Sequence, residues 1–134
     1  MSPEIAVGAA VNDLLVAALG PVPYYDYVPA ADTATPLVAL GVIATRRQTA
    51  TRCGPVWDVG FRLHVMSKAP GRDEAWTILQ QLRATLDRRE ITLADPYAAV
   101  GPLREQRSGD MNDRMQAVSM AFIDFDVTVS TTGP

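Results

Sequence analysis

At 134 residues the chain has the length of one domain. Its hydrophobic share of 48% and charged share of 20% suffice for a single core without covalent staples. A formal net charge of -3 argues against a dedicated nucleic-acid binder, and the single cysteine, Cys53, cannot close an intrachain disulfide.

The opening stretch AVGAAVNDLLVAALG is apolar, yet no Lys or Arg precedes it, and Asn12 with Asp13 interrupts it. It therefore reads as neither a signal peptide nor a membrane span, and the chain is expected to be cytoplasmic when made. Its spacing predicts a first helix instead. Ser2 is the expected N-cap, Pro3 suits the first helical position, and Glu4 faces the positive end of the dipole. Ile5, Val11, Leu14, Leu15, Ala18 and Leu19 make the expected apolar stripe, which Gly20 and Pro21 end.

VPYYDYV (22–28) is aromatic and β-prone, and PAADTATP (29–36) is a turn region. LVALGVIAT (37–45) is apolar on both faces, so a central strand is expected, with a bulge or close approach at Gly41. RRQTATRCG (46–54) reads as a polar loop with three arginines. In the next strand Trp57, Val59, Phe61, Leu63 and Val65 alternate with Asp58, Gly60, Arg62, His64 and Met66, giving one dry and one wetter face. Such a strand is longer than usual, so it either curves or projects as an arm.

Asp73 and Glu74 open a second helix over about 72–88, whose buried face is Ala75, Ile78, Leu79, Leu82 and Leu86. ITLAD (91–95) is a candidate short strand. Two long strands, around VGPLREQR and RMQAVSMAFIDFDVTV, follow with a turn at SGDMND, and 129–134 is expected to fray. The apolar residues on both sides of 118–123 call for cover, some of it from another subunit. The expectation is a single α+β domain over 1–134: one antiparallel sheet, two helices on one face, and an extended β-arm or loop.

Chemistry is sparse. His64 is the only histidine and has no nucleophile in evident partnership, so it reads as an ordinary strand residue. Cys53 lacks companion metal ligands. Asp124 and Asp126, with Asp110 and Asp113, read as solubilising carboxylates ahead of a hard-cation site. No phosphate loop is present, and no cofactor or metal is expected. The arginines at 46, 47 and 52 suit a loop that docks on an acidic protein surface or is simply solvated, with nucleic-acid contact as the lesser alternative.

The alanine-rich opening helix closed by Gly20, the YYDYVP segment and PLVALG together carry a resemblance. So does the join LHVMSKAPGRDEAWTILQQLRATLD, continuing to ITL, with the charged stretch LREQRSGDMNDR before the last strand. On these features the chain resembles the phage tail completion proteins, the tail terminators of long-tailed phages and phage-like gene transfer agents. Met66 stands where that family often has tryptophan, and Val42 follows Leu40-Gly41 where an acidic residue is frequent. The resemblance implies a non-enzymatic virion protein, assembled in the host cytoplasm. It would form a homohexameric ring at the head-proximal end of the tail tube, ending tube polymerisation and joining the tail to the head connector. Implied partners are further copies of the chain, the tube protein and the connector or stopper, with DNA only as passing cargo and no membrane. The expected interface residues are Arg46, Arg47, Arg52, Arg62, His64, Arg104 and Arg107. Alternatives are another head–tail joining protein (a stopper or minor tail protein) or a small enzyme or ligand-binding domain using His64.

Overall fold

The computed structural model describes residues 2–26, 36–48, 54–68, 72–110 and 119–131. Helix α1 runs over Pro3–Ala18, and the Ser2 side chain accepts a hydrogen bond from the Ile5 N–H at 3.3 Å. Gly20 lies just past the cap with φ of 60°, the left-handed position that a helix end often gives to glycine. The buried face is Pro3, Ala6, Val7, Val11 and Leu15. Ile5, expected in that stripe, is 61% exposed, because it projects well around the helix from Val7 and Val11 at the centre of the buried face. Helix α2, Asp73–Leu86, buries Ala75, Ile78, Leu79, Leu82 and Leu86, as the periodicity predicts.

Five strands form one sheet in the order β1-β2-β3-β5-β4: β1 (Tyr24–Tyr25), β2 (Leu37–Arg47), β3 (Val56–Ser67), β4 (Tyr97–Asp110) and β5 (Ser119–Thr131). Every pairing is antiparallel except β1 with β2, so the sheet is mixed rather than wholly antiparallel. Strand β3 is paired with β5 from Val56↔Ser130 to Ser67↔Ser119, so its length is used inside the sheet and not as a projecting arm. Val59, Phe61, Leu63 and Val65 join Ala121, Ile123, Phe125, Val127 and Val129 in one core with the buried faces of both helices. Strand β5 continues through Thr131, making Val129 to Thr131 ladder residues and not the start of a frayed tail; 132–134 lie outside the described residues.

Other boundaries also move. Arg46 and Arg47 belong to β2, not to a loop. In β2 only Leu37 to Leu40 are fully buried, where β1 flanks Val38 and Ala39. Among the described residues, nothing pairs with the outer side of β2 from Gly41 onward, so the strand is central only in its first half. ITLAD forms no ladder, although Ile91 and Leu93 are buried and Thr92 and Ala94 exposed, a strand-like alternation.

The far edge, β4, is closed over its middle. Leu103 donates its N–H to the Arg89 carbonyl and accepts from the Arg88 N–H, both at 2.8 Å, while the Glu105 N–H donates to Asp87 Oδ1 at 3.0 Å. Helix α2 is clasped to the same strand. Asp110 accepts from Trp76 Nε1 at 2.7 Å and pairs with Arg72 at 2.6 Å, and Arg83 reaches both Glu105 and Ser108. At the start of α2, Ser67 Oγ donates to Glu74 Oε1 at 2.6 Å, which satisfies a fully buried hydroxyl.

Candidate interaction surface

Side chains of opposed residues share a sheet face, so the register places the candidate residues. Arg62 is opposite Asp124, His64 opposite Phe122, Arg104 opposite Asp126 and Arg107 opposite Asp124. Arg62, His64, Arg104 and Arg107 therefore meet on the sheet face turned away from the helix-packed core. Arg46 joins them opposite Asp58, but Arg47 is opposite Trp57 and belongs to the helix side. Arg52 lies outside the described residues, as do Cys53 and Asp113.

Phe122 organises this face. Its ring is covered by the Arg62 guanidinium at 4.3 Å and approached by that of Arg107 at 5.5 Å, leaving it 6% exposed. Part of the cover sought for the apolar 118–123 stretch thus comes from the chain's own arginines. Arg62 also holds Asp124 in a two-pronged pair at 2.7 and 3.0 Å. Hydrogen bonding to Asp124 raises the Arg62 pKa further above its already high ordinary value. Arg46, Arg104 and Arg107 have no carboxylate partner among the described residues.

His64 lies over Gly41, whose missing side chain makes the space for the imidazole: a Cβ there would fall inside the van der Waals envelope of Nε2 and Cδ2. The glycine sits in the register shift between Leu40 and Ile43, so the anticipated bulge and close approach coincide. His64 Nδ1 is buried without a hydrogen-bond partner. Burial, and secondarily the Arg62 charge, lower its pKa below the usual value, with Asp124 opposing. Among the described residues no nucleophilic side chain hydrogen-bonds the buried Nδ1. Tyr24, in β1, is held up to about 12 by burial and by nearby Asp26.

Beside His64 lies a shallow hollow of about 500 Å³ bordered by Val42, Ala44, Arg62, Gln106, Asp124 and Asp126, with Gly60 in its floor. Glycine at 60 leaves the β3 position between Ala44 and Asp126 without a side chain. Val42 is 64% exposed at its rim. The two aspartates do not gather the wider acidic patch, since Asp110 is opposite Ala121 and is committed to Arg72 and Trp76. Among the described residues no group of three metal-ligating side chains occurs. The hollow is open, and Arg62, Gln106, Asp124 and Asp126 give it charged and polar walls. It was missed at the sequence level because it depends on the β2 bulge and the β4–β5 register, which bring distant residues into one row.

The profile of the family described as tail completion protein gp17 matches residues 7–130. Among solved structures, a chain in the virion of a native gene transfer agent particle has the same fold, with a TM-score of 0.79 at 21% identity, over 96% of this chain and 98% of that one. No curated protein matches the sequence.

Proposed function

The chain belongs to the tail completion protein gp17 family, and from that membership we propose that it forms a ring at the head-proximal end of a tail tube. The ring ends tube polymerisation and offers its opposite side to the head connector. Six copies would be joined by one repeated heterologous contact that closes on itself. The role is structural, not catalytic.

The family match over nearly the whole chain carries this reading. The molecule's anatomy supports it. Among the described residues, one sheet face is free of helices and presents Arg62, His64, Arg104 and Arg107 in adjoining rows, and the β2 edge is unpaired beyond Leu40 while the β4 edge is closed over its middle. Two dissimilar sides are what a head-to-tail ring contact requires.

Particles produced without this chain test the reading. Electron microscopy should show headless tails of uncontrolled length, restored to uniform length when the protein is supplied. Tails of normal length without heads would indicate a stopper, and normal infectious particles would overturn the proposal.

A further inference from the structure

Among the described residues, two stretches of unpaired backbone lie at opposite sides of the sheet and run in the same direction. The first is the edge of β2 from Gly41 to Arg47: β1 pairs only with Val38 and Ala39, and Gly41, Val42, Ala44, Arg46 and Arg47 are exposed. An open edge of this kind recognises one class of partner, another extended backbone. The second is Glu90 to Leu93, whose backbone makes no hydrogen bond to any described residue. Ile91 and Leu93 anchor this segment in the core, so its exposed side is held in place and not frayed.

The register relates the two. Arg47, Trp57, Val129 and Ala99 occupy one row across the sheet, so β2 finishes at the level where β4 begins. The 90–95 segment starts beside Leu103, where Arg88 and Arg89 are bonded, and descends to Tyr97, opposite Thr131. It therefore runs in the same direction as β2 and ends in the Ala94–Tyr97 turn, which carries Asp95 near the level where β2 finishes. Charge follows the same sense. Arg46 and Arg47 are exposed and have no ion-pair partner among the described residues; the same holds for Asp95. The basic pair Arg88 and Arg89 lies at the opposite end, away from the β2 arginines.

We infer that the 90–95 segment of one copy adds as a parallel strand to the open β2 edge of the next, with Asp95 against Arg47, on the side of the sheet that Ile91 and Leu93 share. Rotation about an axis along the strands preserves both direction and height, so the contact repeats without stagger and is heterologous. The occupant is a second copy of this chain, and the inference rests on the ring reading above.

Charge exchange tests it, with assembly on tail tubes scored by microscopy and self-association by light scattering. Arg47→Glu in one chain, and Asp95→Arg in another, should each weaken self-association on the order of tenfold or more, because like charges then face each other. Mixing the two variant chains should restore it, since each altered side then meets its complement. In a Cys53→Ser background, Ala44→Cys with Thr92→Cys should give a ladder of copies with a short bismaleimide. Circular dichroism identifies any variant that fails to fold, and the cysteine pair then stands as the deciding measurement. Rings that form normally with no rescue on mixing and no ladder overturn this contact and leave the ring reading intact. Loss of tube docking without loss of copy–copy association assigns the β2 edge to a different protein and also overturns it. Wild-type protein that forms no ring even on tubes removes both proposals.

Discussion

The imidazole of His64 occupies the space that a side chain at Gly41 would need. Strand β2 bulges at this point, and β3 lays its one histidine into the gap. A side chain can be added at 41 only if the imidazole gives way.

Gly41→Ala should cost about 1–3 kcal/mol, the range for overpacking a filled site. The same change made together with His64→Ala should cost much less, because the colliding ring is gone. Urea unfolding of the four proteins in this cycle measures the coupling; additive effects would show that the two residues do not share the space.

The His64 pKa lies below its usual 6.5 in the folded protein. Below about 6.5 the unfolded chain binds the proton more readily than the folded one, so stability present above that pH is lost as the pH falls toward the lower folded value. Thermal unfolding from pH 7.5 to 5 should therefore show a loss that His64→Gln reduces. An unchanged profile in the variant would assign the loss to the carboxylates.

Arg62 and Asp124 are 31% and 23% exposed, so their pair is partly screened. Arg62→Ala should cost about 1 kcal/mol, from the lost pair and the uncovered Phe122 ring. Salt should reduce the difference between wild type and variant, and hydrophobic-dye binding should rise as the ring is exposed. No dye response would mean that Arg107 alone keeps Phe122 covered.

Leu82 is fully buried at the centre of the α2 face. Leu82→Ala should cost about 2–5 kcal/mol in urea unfolding, whereas Gln81→Ala on the exposed face should change stability by less than about 0.5 kcal/mol. A small effect at Leu82 would mean that the helix contributes little to the core.

Legibility followed periodicity. The α2 face and the β3 alternation were readable because each has a single buried side, and the residue spacing alone encodes it. Helix α1 was harder: alanines and glycine dilute its pattern, and Ile5 was assigned to the buried stripe although it faces outward. Arg46 and Arg47 looked like loop residues because exposed edge strands accept polar side chains as readily as loops do. The parallel β1–β2 pair, the open edge and the Phe122 cover depend on which strands become neighbours, and no local pattern encodes that. For the candidate surface, the sequence pointed to the arginines, but the ladder register was needed to unite four of them and to send Arg47 to the other side.

Strand β5 is the last element of the chain, yet it lies between β3 and β4. During synthesis on the ribosome, β1 to β3 and the later β4 therefore remain separate half-sheets until residues 119–131 emerge and insert as the keystone. Such distant pairing delays consolidation and keeps both flanks of that gap sticky in the nascent polypeptide. Ribosome-stalled chains ending before Ser119 should be digested readily by protease, and chains long enough to expose Thr131 should resist it.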